Sequence, residues 1–318
     1  MIRRTIFHGL VLFAGAWAFA CAPALQAKDL KVEKTARGVK VSVDGQLFTE
    51  YLILSGAKPI LWPIIGPTGK PMTRAYPMQD AAGEEHDRDH PHQRSLWCAH
   101  GNVDGIDFWS EVAGHGNTVH REFLKVEGGP QAVIEASNDW IGPDGKKHGE
   151  DVRRLTFRAA DESRSIDFDI TIKATPAAIT FGDTKEGMFG VRLPTSVRVD
   201  SNQGGQIVNS DGLLDKEAWG KPAPWVDYHG PIQGEKLGIA ILNHPSSFRY
   251  PTYWHVRTYG LFAANPFGLH AFTGSGDGTF TLPANQTITL RYRVLLHKGD
   301  EKAGKVAEAF SAYEAEKK

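Results

Sequence analysis

The chain of 318 residues has only two cysteines, and one of them lies among its first 27 residues. The other, Cys98, then has no partner for an internal disulfide, and its position beside Trp97 favours a small buried apolar residue over a nucleophile. An excess of charge is also lacking, since 36 Lys and Arg stand against 37 Asp and Glu. This balance excludes the basic surface that is typical of proteins that bind nucleic acid or anionic lipid.

Long apolar runs are missing beyond the N-terminus, whereas a membrane span takes about 20 apolar residues. The first residues, MIRRTIFHGLVLFAGAWAFACAPALQA, join Arg3 and Arg4 to a short apolar stretch and to small residues that end at Ala27. This pattern is typical of a cleaved secretory signal peptide. We therefore expect residues 1–27 to be a signal peptide and residues 28–318 to form a single domain, located in the periplasm or outside the cell.

Helical periodicity is scarce, and alternating apolar and polar residues dominate, divided by 34 glycines and 18 prolines. In RSIDFDITIKA the apolar side chains fall on one face of a strand. Asp44-Gly45 is a hairpin signal. Only residues 300–318 have helical character, with Asp300 as a possible cap and Val306, Phe310 and Tyr313 near one face. The sequence predicts an all-β protein: a large, mostly antiparallel β-sandwich that ends in one C-terminal helix.

Familiar catalytic motifs are absent: the chain has no HExxH, paired CxxC, GxSxG, Walker or GxGxxG motif. What stands out is residues 76–111, YPMQDAAGEEHDRDHPHQRSLWCAHGNVDGIDFWSE, with four of the thirteen histidines. If the segment from His90 to Trp97 is extended, His90, His92 and Arg94 share one face. Paired imidazoles can bind a metal or hold a sugar hydroxyl. The Arg94 guanidinium on the same face would repel a metal cation, so the sequence does not favour a metal site. A metal bound by His90, His92 and His100 stays an alternative. No cofactor is expected.

A second unusual face occurs in WHVRTYG, where alternation groups His255, Arg257 and Tyr259. Such a face suits the floor of a polyol site, because Arg and Tyr donate to hydroxyls and His can donate or accept. We predict that the two stretches form walls of one polar cleft. The candidate proton carriers are His90, His92, His255, Glu186 and Asp107. The candidate substrate-binding residues are Arg94, His100, Trp109, Arg192, Trp219, Asp227, Tyr228, His244, Arg257, Tyr259 and Asn265.

Four stretches together resemble an uncharacterised, mostly secreted bacterial family that carries the label methane oxygenase PmoA. They are DHPHQRSLWCAHGNVDGIDFWSE, DWIGPDGK, TKEGMFGVRLP and NHPSSFRYPTYWHVRTYGLFAANPFG. The family often has His where this chain has Gln93. The resemblance spans nearly the whole chain after the leader and implies a galactose mutarotase-like supersandwich with a sugar ligand. The label disagrees with the sequence, because the membrane subunit of methane monooxygenase crosses the bilayer several times.

Three functions remain open at this point. The first is a secreted carbohydrate-active enzyme that uses His and carboxylate groups for acid–base chemistry, in a mutarotase-, lyase- or hydrolase-like reaction on a sugar or modified sugar. The second is a non-catalytic glycan-binding protein. The third is a metal-dependent enzyme built on the histidines between His86 and His100. The expected partner is a carbohydrate, from a small sugar to an oligosaccharide, and no nucleic acid is expected.

Overall fold

A computed structural model of the chain describes residue 2, residues 28–82 and residues 87–318. Apart from residue 2, the predicted signal peptide lies outside these described residues, and so does His86. Strands and helices are numbered here in chain order. The first sheet has eight strands, in the spatial order β1 (Leu30–Thr35), β2 (Gly38–Val43), β3 (Gln46–Ser55), β4 (Lys58–Leu61), β5 (Leu96–Cys98), β11 (Phe189–Arg192), β16 (Leu261–Asn265) and β15 (Tyr253–Val256).

The second sheet also has eight strands, and a two-stranded sheet accompanies the pair. The second sheet runs β12 (Gln206–Asn209), β13 (Trp225–Ile232), β14 (Glu235–Asn243), β18 (Thr287–Lys298), β9 (Ser163–Ala174), β8 (Lys147–Ala159), β7 (Ala132–Ile141) and β6 (Asn117–Glu127). The small sheet pairs β10 (Ile179–Phe181) with β17 (Phe280–Leu282). The helices are α1 (Leu269–Thr273) and α2 (Val306–Glu314), with 3-10 turns at Thr195–Val197, Val199–Ser201 and Asp215–Ala218.

The core lies between the two large sheets. Phe189 of the first sheet packs between Phe168 and Tyr292 of the second, with ring centroids 5.0 and 4.9 Å apart. Phe48 meets Phe157 in the same way, at 5.8 Å. All strand pairings in the described residues are antiparallel. The predicted mostly antiparallel β-sandwich is therefore confirmed.

Several local predictions are confirmed as well. The Asp44-Gly45 turn joins β2 to β3, with positive φ at both residues, as a tight hairpin turn requires. Along β9 the four alternating apolar residues are buried: Ile166, Phe168, Ile170 and Ile172. Cys98 is buried, and burial raises the pKa of its thiol to about 12. It is therefore a core residue rather than a reactive thiol.

The end of the chain is helical, with one correction. Val306, Phe310 and Tyr313 are buried on α2 as predicted. Asp300 does not cap this helix, because α2 begins six residues later and Lys305 occupies its N-cap. The Asp300 carboxylate instead accepts a hydrogen bond from the main-chain nitrogen of Ala303 in the preceding turn. The short α1 is a helix that the alternation did not indicate. No helix in the described part of the chain combines the length and apolar character of a membrane span.

Candidate functional site

The outer face of the first sheet, turned away from the core, forms the floor of the site. One row of residues in register crosses six strands on this face: Leu52, Ile60, Trp97, Gly190, Ala263 and His255. A Cβ atom at Gly190 would lie 2.7 Å from the ring of Trp97, so the indole covers this glycine. The small residues Gly190 and Ala263 leave room on this face for the Trp97 indole, which packs in one cluster with Ala263.

The histidine segment is a turn and not the extended strand that we expected. His90 has φ 45° and Ser95 has φ 54°, and the main-chain nitrogen of Gln93 donates to the oxygen of His90 at 2.9 Å. Strand β5 starts only at Leu96. The predicted alternation of His90, His92 and Arg94 is therefore wrong in its geometry, since a turn does not alternate its side chains.

Two buried arginines hold this turn in place. Arg192 donates to Asp87 at 2.9 Å, to Asp89 at 2.7 Å and to Gln93 at 2.6 Å, and Arg74 reaches the same two aspartates. Arg192 was predicted to contact substrate. Its side chain is instead 0% exposed, and its hydrogen bonds are committed to the protein. It supports the loop that carries the histidines.

His90 is oriented by a carboxylate and an aromatic ring. Its Nδ1 lies 2.6 Å from Asp89 Oδ2, and its ring stacks on Tyr259 at 5.3 Å with an angle of 6° between the planes. The ring of His92 meets it edge-on at 5.7 Å. Burial, with a smaller contribution from the charge of Lys58, lowers the pKa of His92 to about 4. His92 is therefore neutral near pH 7, and the main cause is burial.

An ion cluster forms the wall beside His92. Glu111 accepts hydrogen bonds from Arg94 Nε at 3.0 Å and Nη2 at 2.8 Å, and from Lys58 Nζ at 3.0 Å. Burial opposes ionisation of Glu111, but these cations hold its pKa at about 2. Burial lowers the pKa of Lys58. Arg94 thus donates its hydrogen bonds mainly to Glu111 and forms part of the wall of the site. We had predicted that Arg94 contacts the substrate.

Glu186 lies in the loop between β10 and β11. Burial raises the pKa of its carboxyl group, and His90, Asp107 and Arg257 are near enough for their charges to act on it. No residue that the structure describes donates a hydrogen bond to this carboxylate. A half-buried carboxylate without a partner is suited to exchange a proton with a bound molecule.

His255 and Asn265 fix the same loop. His255 Nδ1 donates to the main-chain oxygen of Lys185 at 2.9 Å, and Asn265 Nδ2 donates to that oxygen at 3.1 Å and to Thr184 at 2.8 Å. Burial lowers the pKa of His255 to about 3, and the charge of Arg257 acts in the same direction. Asn265 was predicted to bind substrate, but its amide is used to hold the residues before Glu186.

Arg257 lies at the edge of the site without an ion pair. Its guanidinium sits over the rings of Tyr259 and Trp219, 5.6 and 5.8 Å from their centroids. No carboxylate among the described residues pairs with it. Lys216 joins Arg257 and Trp219 around a shallow pocket of about 210 Å³. Among the described residues, its lining carries two cations and no acidic side chain.

The structure thus brings most of the predicted residues together. The cluster comprises His90, His92, Asp107, Glu186, His255, Arg257 and Tyr259, with Trp219 at its edge. Asp107 uses one carboxylate oxygen to accept from the main-chain nitrogens of Trp109 and Ser110. Trp109 is fully buried and packs on Trp97 at 5.0 Å, so it lies beneath the site and offers no exposed ring to a ligand.

Four predicted residues lie elsewhere. His100 is in the core between the sheets, against Phe181 and Phe267, because β5 turns it to the side opposite Trp97. Tyr228 is also in the core and donates to the oxygen of Thr258. His244 contacts Ser246 and the main chain of Glu316, and Asp227 lies on the outer face of the second sheet. These four were assigned from loop-like or alternating patterns that did not reveal which sheet face they occupy.

The predicted metal ligands do not form a group. His100 lies on the opposite side of the sheet from His90 and His92, so the three cannot share one ion. Among the described residues, three potential ligands converge only at Asp227, His229 and Glu301. The described residues that line a cavity of about 550 Å³, among them Trp62, Thr73 and Ile232, include no titratable side chain and no member of the histidine cluster.

The ion pair between Lys58 and Glu111 was not predicted. Lys58 is a lone lysine in the buried strand KPIL, and this isolation was the available signal. Glu111 ends the stretch GIDFWSE, and only its partners 17 and 53 residues away reveal its role.

The chain belongs to the family DUF6807, a family of unknown function, whose model matches residues 38–311. A search of curated proteins finds no match.

Solved structures with a similar strand arrangement include sugar-related proteins of low sequence identity. The chain is similar to an alpha-galactosidase from Lactobacillus brevis (8% identity, TM-score 0.42) over 86% of this chain and 40% of that one. It is similar to a galactose mutarotase-like protein from Clostridium acetobutylicum (9% identity, TM-score 0.41) over 86% of this chain and 99% of that one. It is also similar to an alpha-galactosidase from Geobacillus stearothermophilus (12% identity, TM-score 0.41) over 86% of this chain and 41% of that one. The chain thus spans less than half of either galactosidase, and similarities this low say nothing of its ligand or reaction.

Proposed function

We propose that this protein is a carbohydrate-active enzyme that binds a sugar over the cluster of His90, Glu186 and His255. The observation that carries the proposal is the Glu186 carboxylate, which is half-buried, raised in pKa and without a partner in the described residues. It shares the site with His90, an imidazole oriented by Asp89 and stacked on Tyr259. A carboxylate and an imidazole in one polar site are the groups that general acid–base catalysis uses.

In this proposal Glu186 takes a proton from the sugar and His90 returns one to an oxygen of the ring or of a leaving group. His255 accepts a hydroxyl hydrogen bond at Nε2, because its Nδ1 is bonded to Lys185. Arg257 and Tyr259 donate to further oxygens. This division of roles suits a mutarotase-, lyase- or hydrolase-like reaction, and the products distinguish the three.

The test is a screen of purified protein against mono- and oligosaccharides, including oxidised sugars, with product analysis by NMR. We expect Glu186→Gln to lower turnover about 100- to 10,000-fold while the same sugar still binds. The matched control is Glu127→Gln, an exposed glutamate at the end of β6. Binding without turnover in the unmodified protein would favour a glycan-binding module. If no sugar binds, the proposal is wrong.

A location in the periplasm or outside the cell remains a prediction from the leader pattern in residues 1–27. Mass spectrometry of the protein from its native cells tests it. We expect a mature chain that begins between Ala22 and Asp29, and a mature protein that starts at Met1 would contradict the prediction.

A further inference from the structure

A second cluster of ionisable residues lies on the sheet opposite the proposed sugar site. Along β13, Val226 and Tyr228 face the core, so Asp227 and His229 project from the outer face of the second sheet. Both are buried there, with Asp227 0% and His229 1% exposed. Glu301, in the turns between β18 and α2, approaches the same point.

The sheet is shaped around a third ring, that of His297. His229, Gly238 and His297 form one row across β13, β14 and β18. A side chain at Gly238 or at Gly304 would collide with the His297 imidazole. The His297 ring therefore fits only because Gly238 and Gly304 have no Cβ atom. His297 places Nε2 2.7 Å from Asp227 Oδ2 and Nδ1 3.2 Å from the main-chain oxygen of Lys298.

One ring nitrogen faces two carboxylates. His229 Nδ1 lies 2.6 Å from Asp227 Oδ1 and 3.8 Å from Glu301 Oε2. A single proton on Nδ1 can serve only one of these oxygens at hydrogen-bond distance. No residue that the structure describes donates a hydrogen bond to the Glu301 carboxylate. Two converging carboxylates without a cation between them repel each other, most strongly where the surroundings are buried.

We propose that Asp227, His229 and Glu301 bind a divalent transition-metal ion of the zinc type. One ligand atom from each residue lies within 4.8 Å of the other two. Ligands around tetrahedral zinc are about 3.4 Å apart at metal–ligand distances near 2.1 Å. The observed separations of 2.6 and 3.8 Å bracket this value, so small side-chain rotations accommodate the ion.

The donor set favours zinc over magnesium or calcium, because a ring nitrogen is a ligand for transition metals and the latter two prefer oxygen alone. His297 then holds the second oxygen of Asp227 and orients it, as outer hydrogen bonds do around metal ligands. The ion would join β13 to residues 299–305, which lead into α2. This assignment is independent of the proposed sugar chemistry, since the two clusters lie on different sheets.

The test uses the full chain as purified, stripped with a chelator and titrated with Zn²⁺ alone in a calorimeter. We expect one equivalent to bind and the thermal midpoint of unfolding to rise with Zn²⁺, and Mg²⁺ to do neither. Glu301→Gln should weaken Zn²⁺ binding by about tenfold or more. Glu308→Gln, an exposed glutamate on α2, is the matched control and should bind like the unmodified chain.

Asp227→Asn gives a second variant, although its burial can impair folding. Glu301→Gln keeps the test decisive in that case, because the Glu301 side chain is 17% exposed whereas Asp227 is fully buried. Absence of Zn²⁺ binding, or binding that Glu301→Gln leaves unchanged, overturns the proposal. Sugar binding by the metal-free chain separates this result from any failure of the proposed enzyme function.

Discussion

His255 Nδ1 donates a hydrogen bond to the main-chain oxygen of Lys185 across 2.9 Å. A carbonyl oxygen can only accept, so the proton of the neutral ring is on Nδ1 and the lone pair of Nε2 is available to a ligand. The same bond fixes the main chain directly before Glu186. One imidazole therefore serves as a possible acceptor in the site and as a support for the carboxylate that we propose as the proton carrier.

The first prediction concerns this support. His255→Ala removes the bond to Lys185 and lets Glu186 move, and a displacement of about 1 Å can cost about 100-fold in turnover. Asn265→Ala should have a smaller effect, because His255 still holds the same oxygen. Steady-state kinetics on a sugar found in the screen measure both. His244→Gln, just after the end of β14 in the second sheet, is the control, and an equal loss in that variant would show that the effect is not specific to the site.

The fold could be predicted because strand alternation is local, whereas the site depends on partners far apart in sequence. β9 buries its apolar residues as its pattern indicates. The meeting of the histidine turn with Tyr259 was also predicted, since each segment carries polar groups that need a shared cleft. The pairing of Lys58 with Glu111, 53 residues apart, has no local signal. His100 was misplaced because the irregular segment before β5 resets the alternation.

The second prediction is that stability falls on mild acidification. Burial lowers the pKa of His100 to about 4 and that of His255 to about 3. Both lie below the ordinary value of about 6.5, so between these limits the unfolded chain binds protons that the folded chain does not. The stabilisation is complete above pH 6.5 and is lost as the pH falls toward 4, by roughly 3 kcal/mol for His100.

Urea unfolding at a series of pH values between about 7 and 4.5 measures this dependence. His100→Met should unfold with a shallower dependence on pH, because one titrating group is removed, whatever its stability at pH 7. His270→Met replaces an exposed histidine on α1 and should keep the original slope. If the slopes of all three proteins are the same, the neutral state of buried His100 does not contribute.

The third prediction tests the floor of the site. Gly190→Val places a side chain where the ring of Trp97 lies, 2.7 Å from the Cβ position. Trp97 is fully buried and packs on Trp109, so it cannot move freely, and we expect a loss of stability of about 1–3 kcal/mol. Gly45→Ala is a useful comparison, since no atom lies near its Cβ position and only its positive φ is strained. Equal stability of Gly190→Val and the unmodified protein would contradict the packing.

The last prediction concerns the charge of the ligand. Arg257 is held between two aromatic rings with no carboxylate partner in the described residues, and Lys216 is close by. An unpaired guanidinium gains more from a carboxylate than from a hydroxyl, because charge-assisted hydrogen bonds are stronger. We therefore expect a uronic acid to bind more tightly than the neutral sugar of the same configuration. Arg257→Gln should lower affinity for the acid by about tenfold or more and change affinity for the neutral sugar less.

The control is Arg121→Gln, because Arg121 lies on the second sheet and pairs there with Asp139 and Glu150. Calorimetric titration of both sugars into the three proteins decides the matter. A preference for the neutral sugar, or equal losses for both sugars in Arg257→Gln, would leave Arg257 as an ordinary hydroxyl donor.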